Sequence, residues 1–107
     1  MSTQYTIFIH MNATKAWLSL TAEERRQFIV GELAPILGKY PTVSLEFYDA
    51  EAFSAHFSDI ALIKTEALDD YASLMDDLRK SRLNTVPYFE FVEIIPTVEG
   101  RYFAIVG

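Results

Sequence analysis

Three side chains in this sequence are suited to moving a proton: His10, Asp59 and Tyr48. An imidazole changes charge near neutral pH and serves as a general base when a neighbouring carboxylate tunes it. Asp59 stands among apolar residues in SDIAL, and a carboxylate there is costly to bury without a partner. Glu46 across a hairpin would supply one kind of partner. Repulsion between the two carboxylates would raise one pKa and give an acid–base pair. An Arg or Lys across a subunit interface accounts for Asp59 equally well. Tyr48 and Tyr88 can donate phenolic hydrogen bonds, and Phe8, Asn12, Trp17, Glu46 and Phe57 complete a set that would line a ligand cavity. An apolar wall with a few convergent polar groups is the usual form of a small-molecule site.

Every member of this set also has a plainer role. His10 reads more readily as a half-buried strand residue satisfied by a carbonyl or water. The tyrosines read as packing residues with a wet tip. Trp17 is either a pocket lid or a plug at the end of a sheet. Asp76-Asp77 reads as a solvated helix face. The DAEAF segment has carboxylates without the fixed loop pattern of a cation site, so no metal is assigned.

The elements that must position these residues follow from periodicity. Residues 5–12 alternate as a strand, with Ile7, Ile9 and Met11 on one face and Phe8, His10 and Asn12 on the other. A loop holding Trp17 leads to Thr21, which with Glu24 forms a capping box opening a helix over 22–38. Pro35 should kink or split that helix, because it has no N–H and clashes with the preceding turn. Residues 42–49 form a second strand, with Val43, Leu45 and Phe47 inward and Ser44, Glu46 and Tyr48 outward. After a connection at 50–55, a third strand over 56–64 is expected to turn Ile60 and Leu62 toward the helices. That parity leaves Phe57 and Asp59 on the open side, with His10, Glu46 and Tyr48. A second helix covers 66–82, with Asp69 and Asp70 in its first turn and basic residues in its last, matching the helix dipole. A fourth strand over 88–95 ends at Pro96, and 101–106 forms an extra C-terminal strand. The order β-α-β-β-α-β predicts an α+β, ferredoxin-like antiparallel sheet with both helices on one face, in a single domain spanning 1–107.

Composition narrows the function. The chain has 107 residues, half of them hydrophobic and 14% aromatic, which fits one folded domain and excludes disorder. A formal charge of −6 argues against nucleic acid and anionic membranes as partners. With no Cys there is no disulfide framework, thiol nucleophile or thiolate metal site. Neither a secretory signal nor a membrane-length apolar run is present, which makes the cytoplasm the expected location. An RNA-recognition sheet has the same topology, but HFSDIALIK lacks that module's basic-Gly-aromatic pattern.

The segments TIFIHMNATKAWLSL, EERRQF, YPTVSLEFYDAEAFSAHFSDIAL and TVPYFEFVEIIP resemble, in order and spacing, the darcynin family. The resemblance runs from about Thr6 to Pro96, and the tail from Arg101 lies outside it. Darcynins are small, largely bacterial proteins without an established activity, so the resemblance implies a family and no catalytic set. More distantly the topology is similar to dimeric α+β barrel proteins, among them cofactor-independent monooxygenases, isomerases and dehydratases. Two helices cover one sheet face, and the first and fourth strands are apolar on both. A homodimer closed through the other face and the C-terminal strand is therefore expected. Its interior would hold a small apolar or aromatic molecule, handled without a cofactor if chemistry occurs; the alternative is an interaction or regulatory domain whose open face only makes the dimer.

Overall fold

Side-chain parity along Tyr5–Ala13 (β1) organises the molecule: Ile7, Ile9 and Met11 are fully buried, whereas Phe8 is 37% exposed. In this computed structural model, which describes residues 3–99, β1 is an inner strand. It pairs antiparallel with Asp59–Thr65 (β3) on one side and Phe89–Val98 (β4) on the other. Val43–Asp49 (β2) pairs antiparallel with β3, so the four-stranded order is β2-β3-β1-β4. That is the expected ferredoxin-like α+β sheet. The expected strand over 101–106 lies outside the described residues.

The helical layer is built in pieces. Thr14 caps a short helix, Lys15–Leu18 (α1), so Trp17 sits on a helical turn and not in a loop. The capping box forms as predicted: the Glu24 amide donates to Thr21 Oγ1 at 3.1 Å, and the Thr21 amide donates to Glu24 Oε1 at 2.9 Å. It opens Ala22–Phe28 (α2), which continues through a wider π-helical turn, Ile29–Leu33, into Ala34–Gly38 (α3). In that turn the Ala34 amide donates to the Ile29 carbonyl. Pro35, two residues into the next segment, cannot donate to its own preceding turn, and the widened spacing accommodates its ring. Leu68–Lys80 (α4) and the short Arg82–Thr85 (α5) complete the layer.

Apolar side chains of α2, the π turn and α4 close on one sheet face. Phe28, Leu33, Leu74 and Leu78 pack with Ile7, Ile9, Ala61 and Ile63 in a single core. At its end, Trp17, Phe28, Tyr88 and Phe89 form an aromatic group with ring centroids 5.0–5.9 Å apart. Edge and tilted contacts of this kind add to the area they bury.

Three expectations are corrected. The faces of β3 are reversed: Ile63 lies opposite Ile7, and Ala61 opposite Ile9, so Asp59, Ala61, Ile63 and Thr65 face the helices and Ile60 and Leu62 face away. Ala61 and Ile63 are as apolar as Ile60 and Leu62, and the pairing with β1 decides between the two parities, since a one-residue slip flips a strand. β4 runs through Pro96 to Val98, because an edge strand tolerates a residue that cannot donate outward. Asp76 is exposed and pairs with Arg79, but Asp77 is half-buried and accepts from the Tyr40 hydroxyl at 2.6 Å. That hydrogen bond, to a carboxylate, pushes the Tyr40 phenol up to about 12.

The parity makes a direct prediction. Ile63→Ala, which removes side chain from the fully buried centre of the sheet, should cost about 2–5 kcal/mol in denaturant unfolding. A cost below about 1 kcal/mol would contradict the assignment of this face to the core.

Candidate functional site

The open face of the sheet gathers Phe8 and His10 of β1, Glu46 and Tyr48 of β2, and Ile60 and Leu62 of β3. Phe8, Tyr48, Ile60 and Leu62 line a shallow apolar recess of about 280 Å³. His10 lies opposite Ile60 on one side and Glu93 on the other. Its ring packs on Phe57, with centroids 4.3 Å apart. The side chain is 19% exposed, and its Nδ1, 3.9 Å from Glu93 Oε2, has no hydrogen-bond partner. Next to His10 the register with β4 shifts, so that Glu93 and Phe91 oppose consecutive residues of β1 and Val92 has no opposite number. Such bulges re-aim side chains. Sequence spacing held no hint of Glu93 as the neighbour of His10, because the bulge breaks the alternation that would have shown it.

The expected acid–base cluster is not assembled on this face. Asp59 faces the helices, and Glu46 lies opposite Leu62, so the two carboxylates are on different sides of the sheet. Tyr48 donates its hydroxyl to Glu46, which raises its pKa, because the bond favours the neutral phenol and the carboxylate repels a phenolate. Asn12 is a clamp: its Nδ2 donates to the His56 carbonyl at 3.0 Å, and its Oδ1 accepts from the Ser58 amide at 3.0 Å. It thereby holds the segment that carries Phe57. Tyr88 is buried against Trp17 and Phe28 in the core.

Asp59 and Trp17 do meet, in a half-open pocket of about 220 Å³ on the helix side. Phe28, Leu33, Phe47 and Phe89 supply further walls. Asp59 opens β3 and is the single charged residue of this lining; its Oδ2 accepts from the Ser58 hydroxyl at 2.8 Å. Pro35 was the sequence signal for this pocket, since the π turn it accompanies contributes Ile29 and Leu33 to the wall.

Residues 1–107 match the family model of darcynin, a domain of unknown function. The chain belongs to the darcynin family. Darcynin 1 of Acinetobacter baumannii is 49% identical over 85 residues, covering 79% of this chain and 94% of that relative. The darcynin of Chromobacterium violaceum is 52% identical over 70 residues, covering 65% of this chain and 89% of its own. Among solved structures, a heme-binding protein from Thermus thermophilus superposes with a TM-score of 0.79 at 16% identity. A chlorite dismutase from Candidatus Nitrospira defluvii superposes with a TM-score of 0.74 at 19% identity. These structures share the fold; the darcynin chain covers 99% and 97% of itself in the two superpositions, and 44% of each partner's length. Among the described residues, no helix of this darcynin is long and apolar enough to cross a membrane.

The Tyr48–Glu46 pair can be tested by alkaline titration of phenolate absorbance. Glu46→Gln removes the charge that opposes ionisation, so Tyr48 should ionise at lower pH, nearer its ordinary value of 10.0. A titration curve identical to that of the unmodified protein would contradict the pairing.

Proposed function

We propose that this darcynin is a homodimeric binding protein. Two copies pair through their open sheet faces, and a small apolar or aromatic molecule sits between them against Phe8, Tyr48, Ile60 and Leu62. The observation that carries this reading is the apolar open face itself, with Phe8 37% and Tyr48 48% exposed. Monomers seldom leave a contiguous apolar patch on a sheet uncovered, and the simplest cover for such a patch is its own copy across a two-fold axis. His10 supports the reading, since its unpartnered Nδ1 is a polar group for a ligand or a second chain to satisfy. His10 and Tyr48 share this face but Asp59 lies on the other and Tyr48 is bound to Glu46, which favours binding over acid–base catalysis here.

The Thermus protein's heme raises a specific alternative. Among the described residues, the helix-side pocket does not fit one. A heme iron takes an imidazole, thiolate, thioether or phenolate ligand. The helix-side pocket offers the Met11 thioether and no imidazole, and Asp59 would oppose the anionic propionates. Its volume of about 220 Å³ falls below the ~300–1,000 Å³ usual for drug-sized ligands. His10 lies on the other face, and His56 in the exposed loop before β3.

Light scattering at micromolar concentration tests the dimer. The expected mass is twice 12.2 kDa, and Phe8→Asp should halve it while leaving the circular dichroism unchanged. A monomer of unmodified protein, or a Phe8→Asp protein that remains dimeric, would overturn the proposal.

A further inference from the structure

We infer that the helix-side pocket is a second binding site, for a small aromatic or branched aliphatic amine in its cationic form. The pocket lies across the sheet from the proposed dimer face and does not depend on it. Its walls are apolar and largely aromatic, from Trp17, Phe28, Leu33, Phe47 and Phe89, and its volume of about 220 Å³ suits a compact molecule. A purely apolar plug would not call for the one charged group present, the Asp59 carboxylate.

That carboxylate is available. Ser58 occupies its Oδ2, and among the described residues no ion pair includes Asp59. Two guanidinium groups lie over wall rings, Arg25 over Trp17 and Arg82 over Phe28 at 5.5 Å, and neither pairs with Asp59. Arg25 donates to the Trp17 and Leu18 carbonyls, and Arg82 is bound to Glu32 at 2.7 Å. Asp49, directly opposite Asp59 in the sheet, adds negative potential at the same strand end. A carboxylate beside aromatic rings is the usual chemistry for an ammonium group: an ion-paired hydrogen bond together with attraction to ring faces. An anion would meet the same carboxylate unfavourably.

The backbone supports a built pocket. Ile29 and Leu33 reach the lining from the π-helical turn, where the helix departs from regular spacing. Such turns recur at functional sites because they turn side chains that a regular helix would aim elsewhere.

Trp17 is the one tryptophan of the chain, so its fluorescence reports occupancy directly. The test titrates the protein with 2-phenylethylamine, phenylacetate and ethylbenzene at pH 7. The amine should change Trp17 emission saturably, and phenylacetate should bind at least about tenfold more weakly. Asp59→Asn, which keeps an oxygen to accept from Ser58, should weaken the amine about tenfold and leave ethylbenzene unchanged. Equal binding of amine and acid to the unmodified protein would overturn the inference, even if the variant failed to fold. So would an amine affinity indifferent to Asp59→Asn, or no response to any of the three probes. None of these results bears on the oligomeric state, so this site and the proposed dimer stand or fall separately.

Discussion

Everything in this fold depends on which side chains of β1 and β3 share a face. Ile7 opposite Ile63 and Ile9 opposite Ala61 place four apolar residues under the helices, all of them essentially inaccessible to water. Burial on that scale fixes the register, since a slip of one residue would send the whole set into solvent. The same pairing sends Phe8, His10, Ile60 and Leu62 to the other side. The core and the exposed apolar face are therefore two consequences of one register, and neither can change without the other.

The sheet consequently separates two environments with different chemistry. On the helix side a single carboxylate opens onto aromatic walls, and the irregular turn before Pro35 shapes the cavity. On the open side Tyr48 is engaged with Glu46, and His10 keeps an unpartnered Nδ1 3.9 Å from Glu93. A layer of helices on one face only is a common solution for a sheet of this size, and it leaves the second face to be covered from outside. The fold is shared with the Thermus protein, of whose length this darcynin covers 44%. Fold alone does not carry function between them.

Much of this was legible in the residues. The capping box at Thr21 and Glu24, the alternation of β1 and β2, and the disturbance at Pro35 all led to the right elements in the right order. What periodicity could not resolve was β3, where Ile60 and Leu62 are as apolar as Ala61 and Ile63. With both parities equally hydrophobic, the choice passes to long-range pairing with β1, which no local pattern reports. Asp59 went to the wrong face with that choice, and the expected Glu46–Asp59 pair went with it. The bulge opposite His10 hid Glu93 for a related reason, because an extra residue shifts the alternation partway along β4. Periodicity puts Trp17 in a loop and Asp59 within a strand, and only the fold brings them to one pocket.

The central claim is that the apolar outer face of the sheet is covered by a second copy. Isotope-filtered NMR on a mixture of labelled and unlabelled protein tests it without altering a residue. Intermolecular contacts are expected from the side chains of Phe8, Tyr48, Ile60 and Leu62 to protons of the other copy. None is expected from Ile7, Ile63 or Leu74, which lie beneath the helices. Intermolecular contacts absent altogether, or confined to residues outside the open face, would contradict the claim.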